Sequence, residues 1–397
     1  MAAAEHEERT RKRVFFHVGA PKTGTTYVQH VLLQNQKTLA ANGFLYPYDD
    51  HGQSFRSMQD FRRAGWGSQR ASQFKGEWQQ VADKTLAWHG HTVIISNELL
   101  GGSAPERIAA GVKSVQPADV HVIFSARDLA RQLVSDWQEH IKHKHQVTLE
   151  KFVDDLIEYG LDAPKPFGEL FWGMHDASYV LRRWATVVPV ENIHVVTLPA
   201  PSAQRDTLWK RFCAVVGLDP DAYDTDTDSR NPSMGVAETE LVRRMNADVQ
   251  GMAPEHYDSL VRILLAEEVL GGQSPRLTMP PGRIDWVMQR SRQLIDELKV
   301  AGYDVQGDLE ELMPRPQDHA TYLSPTELTE ADLAPAAIRA ATGLLRHSGR
   351  LRRRLVELQD AAAGITPPRR TMRDRARHVY WRTRGRVGRI VRRQRRS

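Results

Sequence analysis

The fold is decided by the stretch Val14-Phe15-Phe16-His17-Val18-Gly19-Ala20-Pro21-Lys22-Thr23-Gly24-Thr25-Thr26. Its mainly apolar first part, up to Val18, predicts a short buried strand. The residues that follow, Tyr27-Val28-Gln29-His30-Val31-Leu32-Leu33, have apolar side chains at helical spacing. A strand, a glycine loop and a helix in this order aim backbone N–H groups and the positive end of a helix dipole at one point, where an anion fits. Gly19 and Gly24 permit backbone angles and close approaches that a side chain would obstruct.

Further apolar runs alternate with segments of helical periodicity along the first half of the chain. The runs that predict strands are Phe44–Pro47, His91–Ser96, Val120–Ser125 and Ile193–Leu198. After Thr207 the sequence predicts mainly helices. The alternation predicts an α/β fold of three layers, in which helices cover both faces of a central parallel sheet, followed by a helical C-terminal extension. Ligands of such folds bind at the carboxyl ends of the strands, and the glycine loop follows such an end.

The glycine loop differs from a Walker A phosphate loop in the place of its lysine. In Walker A, G-x-x-x-x-G-K-[ST], the lysine directly follows the second glycine. Here Thr25 follows Gly24, and Lys22 lies inside the loop, three residues after Gly19. A lysine at this position can lie alongside a 5′-phosphate and the group that the phosphate carries. By composition alone, another kind of phosphate-binding loop and a glycine turn without a ligand remain alternatives.

The segment Pro21-Lys22-Thr23-Gly24-Thr25-Thr26 resembles the 5′-phosphosulfate loop of the sulfotransferase superfamily. The resemblance implies that these six residues bind 3′-phosphoadenosine-5′-phosphosulfate (PAPS) as a co-substrate, in a fold like that of the P-loop nucleotide-binding proteins. It covers roughly residues 13 to 310 and is closest to bacterial sulfotransferase-like proteins. Lys22 would then also act in catalysis, by neutralising charge on the leaving phosphate oxygen.

The second candidate binding element is the pair Arg127 and Ser135, which follows the predicted strand that ends at Ser125. Arg127 lies in the loop at the strand's carboxyl end, and Ser135 about two turns into the next helix. In the family, an arginine and a serine at this spacing hold the 3′-phosphate of PAPS. A guanidinium binds phosphate in a bidentate manner and a hydroxyl adds a donor. The alternative is a helix-capping arginine with a surface serine. Asp128 is expected to cap the helix.

Glu98 is the candidate general base. It lies just past the strand that ends at Ser96, and a carboxylate there can take the proton of an acceptor hydroxyl if it reaches the attacking oxygen. The resemblance adds that cytosolic sulfotransferases use a histidine after the corresponding strand, whereas glycan-modifying members use a glutamate. The alternative is a glutamate that merely stabilises the start of the next helix.

Several other polar or aromatic residues are weaker candidates. Ser96 lies two residues before Glu98, and His17 on its strand is more typical of a satisfied core residue than of a ligand. The spacing of His140, His143 and His145 does not place all three on one helical face, which favours a solvated basic surface over a metal site. The segment Phe171–Asp176 is interpreted as an aromatic turn near the acceptor, and Arg230–Ser233 resembles a polar loop near the nucleotide.

The composition limits the class of protein. A chain of 397 residues with 41% hydrophobic and 26% charged residues is long enough for one large α/β domain with additions. Cys213 is the single cysteine, which excludes disulfides within the chain and makes a cysteine-based metal site unexpected, so no metal is predicted. No apolar core of a signal peptide and no apolar run of about 20 residues is found, so we expect a cytoplasmic protein without a transmembrane segment.

Charge is unevenly distributed along the chain. Net charge is +5, yet the last 31 residues, from Pro367, contain 13 arginines and one acidic residue. We therefore predict a short arm (1–12), a sulfotransferase-like α/β domain with a helical second half (13–315), a helical extension (316–366) and a basic tail (367–397). The tail is expected either to be a disordered solubilising segment or to contact an anionic inner-membrane surface or another polyanion.

The resulting hypothesis is a PAPS-dependent sulfotransferase that modifies a hydroxyl or amine of a glycan, a lipid or a small molecule. Two alternatives remain. One is a P-loop kinase or NTPase, which the lysine position and Ala126-Arg127 after the strand, in place of an acidic residue, disfavour. The other is a non-catalytic scaffold that binds the nucleotide and docks through its basic tail.

Overall fold

The computed structural model describes residues 11–65, 69–200, 203–204, 206–227, 233–315 and 322–363. Contacts divide the chain into two units, residues 1–340 and residues 341–397. The sheet and all the candidate site residues described below belong to the first unit.

A parallel sheet of six strands forms the centre of the first unit, in the order β2-β3-β1-β4-β5-β6. The strands are β1 (Arg13–His17), β2 (Phe44–Leu45), β3 (Thr92–Ser96), β4 (Asp119–Ala126), β5 (Ile193–Thr197) and β6 (Asp304–Gln306). His17 at the end of β1 lies opposite Ser96 of β3 and Ile123 of β4. The loops that follow β1, β3 and β4 therefore emerge side by side, at the point where such folds bind ligands.

Helices connect the strands and continue beyond the sheet. In chain order they are α1 (Thr25–Gln34), α2 (Gln36–Ala41), α3 (His51–Arg62), α4 (Glu77–Ala87), α5 (Pro105–Ser114), α6 (Leu129–Lys142), α7 (Leu149–Tyr159), α8 (Phe167–His175), α9 (Ala177–Trp184), α10 (Thr207–Val216), α11 (Val236–Asp248), α12 (Pro254–Tyr257), α13 (Ile284–Ala301) and α14 (Glu330–Ala362). A π-helical segment, Asp258–Val269, follows α12.

The sheet is covered on both faces. On one face the Phe16 ring lies 6.1 Å from Trp78 of α4 and 5.3 Å from Trp184 of α9. The next side chain, His17, points to the opposite face, where its ring lies 5.3 Å from Phe212 of α10. Because both faces are packed, every residue of β3 and β5 is buried. The predicted three-layer α/β fold with a parallel sheet is confirmed.

The C-terminal helices differ from the prediction. Two helices were expected within Leu323–Asp360, and the structure has one helix, α14, of 33 residues. Gly343 and Gly349 lie inside this helix, and a glycine inside a helix costs only about 1 kcal/mol relative to alanine. The leucine, alanine, arginine and glutamate residues around the two glycines are strong helix formers and outweigh that cost.

Other elements also differ from the prediction. The aromatic turn expected at Phe171–Asp176 is wrong, because those residues up to His175 form the end of α8. Asp176 is the N-cap of α9, where its side chain accepts a hydrogen bond from the backbone N–H of Tyr179. Strand β6 and helix α7 were not predicted. The region Tyr48–Trp78, expected to be a loop with some helix, contains the three-turn helix α3.

Within the described ranges, none of the helices combines the length and the apolar composition that crossing a membrane requires.

Candidate functional site

The loop from Gly19 to Thr26 is held by hydrogen bonds to the end of β4. The backbone N–H of Ala20 donates to the carbonyl of Ser125 at 2.8 Å, and the N–H of Ser125 donates to the carbonyl of Gly19 at 2.6 Å. Inside the loop, the buried hydroxyl of Thr23 donates to the carbonyl of Ala20 at 2.6 Å. These contacts fix the loop at the carboxyl ends of β1 and β4, as the sequence predicted.

The glycine loop ends in an uncapped helix N-terminus. Gly24 is the N-cap of α1 with a φ of 84°, and no side chain caps the first turn. A Cβ at Gly24 would lie 2.6 Å from the Leu208 side chain, so the position requires glycine for both its angle and its space. Thr25 is buried and Thr26 exposed at the start of α1. The first-turn N–H groups can thus serve an anion, as they do in phosphate-binding loops.

Lys22 lies within this loop, next to half-buried Pro21, in a left-handed backbone conformation with a φ of 63°. Its Nζ lies 2.5 Å from the Oε2 of Glu139, a residue of α6. Its carbonyl accepts a hydrogen bond from Nη1 of Arg127 at 2.9 Å. The loop lysine is therefore linked through both its side chain and its backbone to the chain that follows β4.

Arg127 joins the two predicted binding elements. The Nη1 that contacts the Lys22 carbonyl also lies 3.2 Å from the hydroxyl of Ser135. Asp128 caps α6, as predicted, by accepting a hydrogen bond from the N–H of Arg131 at 2.9 Å. The cap fixes the start of α6, and so Ser135 two turns later faces the arginine. The structure brings Arg127 and Ser135 together beside the glycine loop.

One face of α6 borders the loop. Arg131, Ser135 and Glu139, spaced four residues apart, are half-buried among buried neighbours. Glu139 was not singled out from the sequence, although its spacing from Ser135 was the available signal. Its carboxylate also lies 3.4 Å from Lys142 Nζ and 3.4 Å from His143 Nε2.

The electrostatics of Glu139 follow from those neighbours. Burial alone would raise the pKa of its carboxyl, but Lys22, His143 and Lys142 outweigh burial and hold that pKa well below its usual range. Burial also lowers the pKa of Lys142, against the attraction of Glu139. Glu139 is thus an ionised carboxylate among cationic groups, beside the proposed phosphate loop.

Glu98 begins a short 3₁₀ turn, Glu98–Gly102, directly after β3. Its Oε2 accepts a hydrogen bond from Nε2 of Gln29 at 2.9 Å. Asn97 caps the turn by accepting from the N–H of Leu99, and its backbone N–H donates to the carbonyl of His17 at 3.0 Å. Glu98 is therefore fixed at the end of β3, next to the loop that contains Lys22.

Gln29 is a second residue that the sequence analysis missed. It is buried in α1, one turn after Thr25, and its amide holds the Glu98 carboxylate. An uncharged polar residue between the apolar residues Val28 and Val31 was the signal that could have indicated it. Through Gln29, the helix that follows the glycine loop also positions the candidate base.

Tyr46 follows β2, which is the neighbour of β3 in the sheet. Its ring is 5.1 Å from the ring of Tyr48, and its hydroxyl is buried without a hydrogen-bond partner among the described residues. Burial raises its pKa well above the usual range, and Tyr48 and, to a smaller extent, Glu98 add to the effect. Tyr46 therefore keeps a neutral, buried hydroxyl.

His17 is a satisfied core residue, as the sequence favoured. It is fully buried, and its Nδ1 and Nε2 form hydrogen bonds of 2.8 Å and 2.9 Å with the hydroxyls of Ser96 and Ser125. These bonds join the carboxyl ends of β1, β3 and β4 beneath the loop. Burial lowers the pKa of His17 to about 4. The bond also engages Ser96, the weak candidate for contacting the transferred group.

We expect His17 to make the fold sensitive to acid. Its folded pKa of about 4 lies below the unfolded value of 6.5, so the unfolded chain binds the proton first as pH falls. The contribution of the His17 imidazole to the free energy of unfolding is fully present above pH 6.5. About 3 kcal/mol of it is lost as the pH falls from 6.5 to 4. Urea unfolding should show that the free energy of unfolding falls less between pH 7 and pH 4.5 for His17→Asn than for the wild type. Equal losses would contradict this role.

The remaining candidates do not form a site. His140 Nε2 lies 3.2 Å from Asp136, and His143 contacts Glu139 instead. Within the described ranges, no group of three or more histidine, cysteine or acidic residues could hold a metal ion. The indole of Trp172 donates to the carbonyl of Leu156 at 3.2 Å. The predicted polar loop, apart from Ser233, and the basic tail from 367 lie outside the described residues.

The chain has a distant likeness to a solved structure, and two other comparisons find no match. No family model matches the chain, and no curated protein matches it. Among solved structures, a sulfotransferase from Alicyclobacillus acidocaldarius is similar, with 14% sequence identity and a TM-score of 0.38. The similarity covers 62% of this chain and 94% of that chain. At this identity and TM-score, the likeness identifies neither the family nor the activity.

Proposed function

We propose that the chain is a sulfotransferase that moves a sulfuryl group from PAPS to a hydroxyl or amine of an acceptor. The observation that carries the proposal is the position of Arg127, whose guanidinium contacts both the Lys22 carbonyl at 2.9 Å and the Ser135 hydroxyl at 3.2 Å. A loop suited to a 5′-anion thereby adjoins an arginine and a serine suited to a second phosphate. A nucleotide with phosphates at both its 3′ and 5′ positions is the ligand class that this pairing favours.

The donor set fits such a nucleotide. Gly24 lets the loop pass close to the Leu208 side chain, and the uncapped first turn of α1 offers backbone N–H groups to the 5′ group. Lys22 adds a positive charge beside them, while Arg127 and Ser135 supply a guanidinium and a hydroxyl for the 3′-phosphate. The loop residues Pro21, Thr23, Thr25 and Thr26 shape the cradle. We assign the site no metal, because lysine, arginine and amides can balance the anionic charge.

PAPS supplies the sulfuryl group, and the residues of this chain would assist its transfer by moving a proton and balancing charge. Glu98, held by Gln29 at 2.9 Å, would accept the proton that the acceptor oxygen or nitrogen loses as it attacks sulfur. Lys22 would stabilise the negative charge that develops on the phosphate oxygen as its bond to sulfur breaks. The products are the sulfated acceptor and 3′-phosphoadenosine-5′-phosphate.

The acceptor belongs on the side of Glu98. A carboxylate that can take up a proton suits an acceptor that offers hydroxyls, such as a glycan, a glycolipid or a small natural product. The basic tail is proposed to bring the protein to an anionic surface through its arginines.

Nucleotide selectivity tests the proposal. Calorimetry on the full chain should detect binding of 3′-phosphoadenosine-5′-phosphate without magnesium, and binding at least about a hundredfold weaker for magnesium-ATP. Radiolabelled PAPS incubated with the protein and small-molecule extracts should then give labelled products. Preference for magnesium-ATP would support the kinase or NTPase alternative. Binding of the bisphosphate without any label transfer would support the scaffold alternative.

A further inference from the structure

Glu139 holds the lysine that the proposed donor needs. Its Oε2 lies 2.5 Å from Lys22 Nζ, and about a quarter to a third of each of the two side chains remains exposed. A carboxylate therefore already occupies the position of an anion beside the glycine loop. A ligand whose 5′ group contacts Lys22 must compete with it, because two anions next to one ammonium group repel each other.

The Lys22–Glu139 ion pair is built so that it can be exchanged. If Lys22 turns toward a ligand, the Glu139 carboxylate still has Lys142 at 3.4 Å and His143 at 3.4 Å. It is then not left as an unpaired buried charge, which would be far more costly than losing a partly exposed ion pair. The contact that Arg127 makes with the Lys22 carbonyl involves the backbone and does not depend on where the lysine side chain points.

We propose that Glu139 is an exchangeable counter-ion of Lys22, which competes with the 5′-anionic group of the nucleotide and so lowers its affinity. This role rests on the proposed function. When no nucleotide is bound, the Glu139 carboxylate neutralises the charge of Lys22. Glu139 also weakens the binding of small anions, which have no second phosphate to contact Arg127 and Ser135. Glu139 is thus a residue that sets selectivity and positions Lys22, without taking part in the transfer.

The affinities of three nucleotides distinguish this role from a general effect of charge. Glu139→Gln should bind 5′-AMP and 3′-phosphoadenosine-5′-phosphate roughly three- to tenfold more tightly than the wild type. Binding of 3′-AMP, which lacks the group that competes for Lys22, should change less than about twofold. Glu267→Gln is the matched control, because Glu267 pairs with Arg262 at 3.1 Å and its charge acts on Lys142 without contacting Lys22. It should leave all three affinities near those of the wild type.

A second measurement follows Lys22 directly. Limited acylation with acetic anhydride, quantified by mass spectrometry, should label Lys22 severalfold faster in Glu139→Gln, and 3′-phosphoadenosine-5′-phosphate should protect it. Equal gains for all three nucleotides, or an unchanged labelling rate, would overturn the counter-ion role. If wild type and variant bind none of the nucleotides, the proposed function fails. The ion pair is still tested then, by the labelling rate without ligand.

Discussion

Replacing Lys22 by methionine is expected to reduce sulfuryl transfer by about a hundred- to a thousandfold. Lys22 is the one cation inside the glycine loop, and its Nζ pairs with Glu139 at 2.5 Å, beside the proposed site of the 5′ group. Methionine keeps the length of the side chain and removes the charge that balances the leaving oxygen. Initial rates with radiolabelled PAPS should show the loss mainly in kcat, because Arg127 and Ser135 would still hold the 3′-phosphate under the proposed function.

The matched control for Lys22 is Lys151→Met. Lys151 also forms an ion pair, with Asp155 at 2.9 Å, but it lies on α7 and its side chain is exposed. This variant should transfer the label at the wild-type rate. If Lys22→Met and Lys151→Met had the same rate, the loop lysine would have no part in transfer.

The sequence was sufficient for the parts of the fold that depend on long apolar runs. Strands β1, β3, β4 and β5 have both faces buried and are therefore almost continuously apolar, a pattern that stands out. Strand β6 was missed because it has only three residues, begins with an exposed aspartate and lies at the edge of the sheet. Edge strands bury little, so their sequences carry little periodic signal.

The order of the strands was not readable from the chain, and it is what brings the site together. Because β1 lies between β3 and β4, the loop with Lys22, the turn with Glu98 and the loop with Arg127 become neighbours. Each could be found separately, since each follows a buried strand. That they meet depends on pairing between strands more than 70 residues apart.

Residues that act through others were harder to find. Gln29 and Glu139 lie on α1 and α6, and their importance comes from contacts with Glu98 and Lys22, which are 69 and 117 residues away in the chain. Helical periodicity shows only which face each of them occupies. A contact across the site requires the packing of two helices onto one sheet, and a single sequence does not contain that information directly.

Glu98→Gln is expected to lower kcat for transfer by about a hundred- to ten-thousandfold while leaving donor affinity unchanged. Glutamine keeps the size and the hydrogen bond capacity of the side chain, so the contact with Gln29, 2.9 Å in the wild type, can persist. An amide cannot take up the proton that the acceptor releases, and the attacking oxygen would stay protonated. Calorimetry with 3′-phosphoadenosine-5′-phosphate and transfer rates at saturating PAPS measure the two quantities separately.

Glu106→Gln, which removes an exposed glutamate from the first turn of α5, controls for the alternative that Glu98 merely stabilises a helix start. That alternative predicts a similar small loss of stability and near-normal transfer for both variants, and such a result would remove Glu98 from the mechanism.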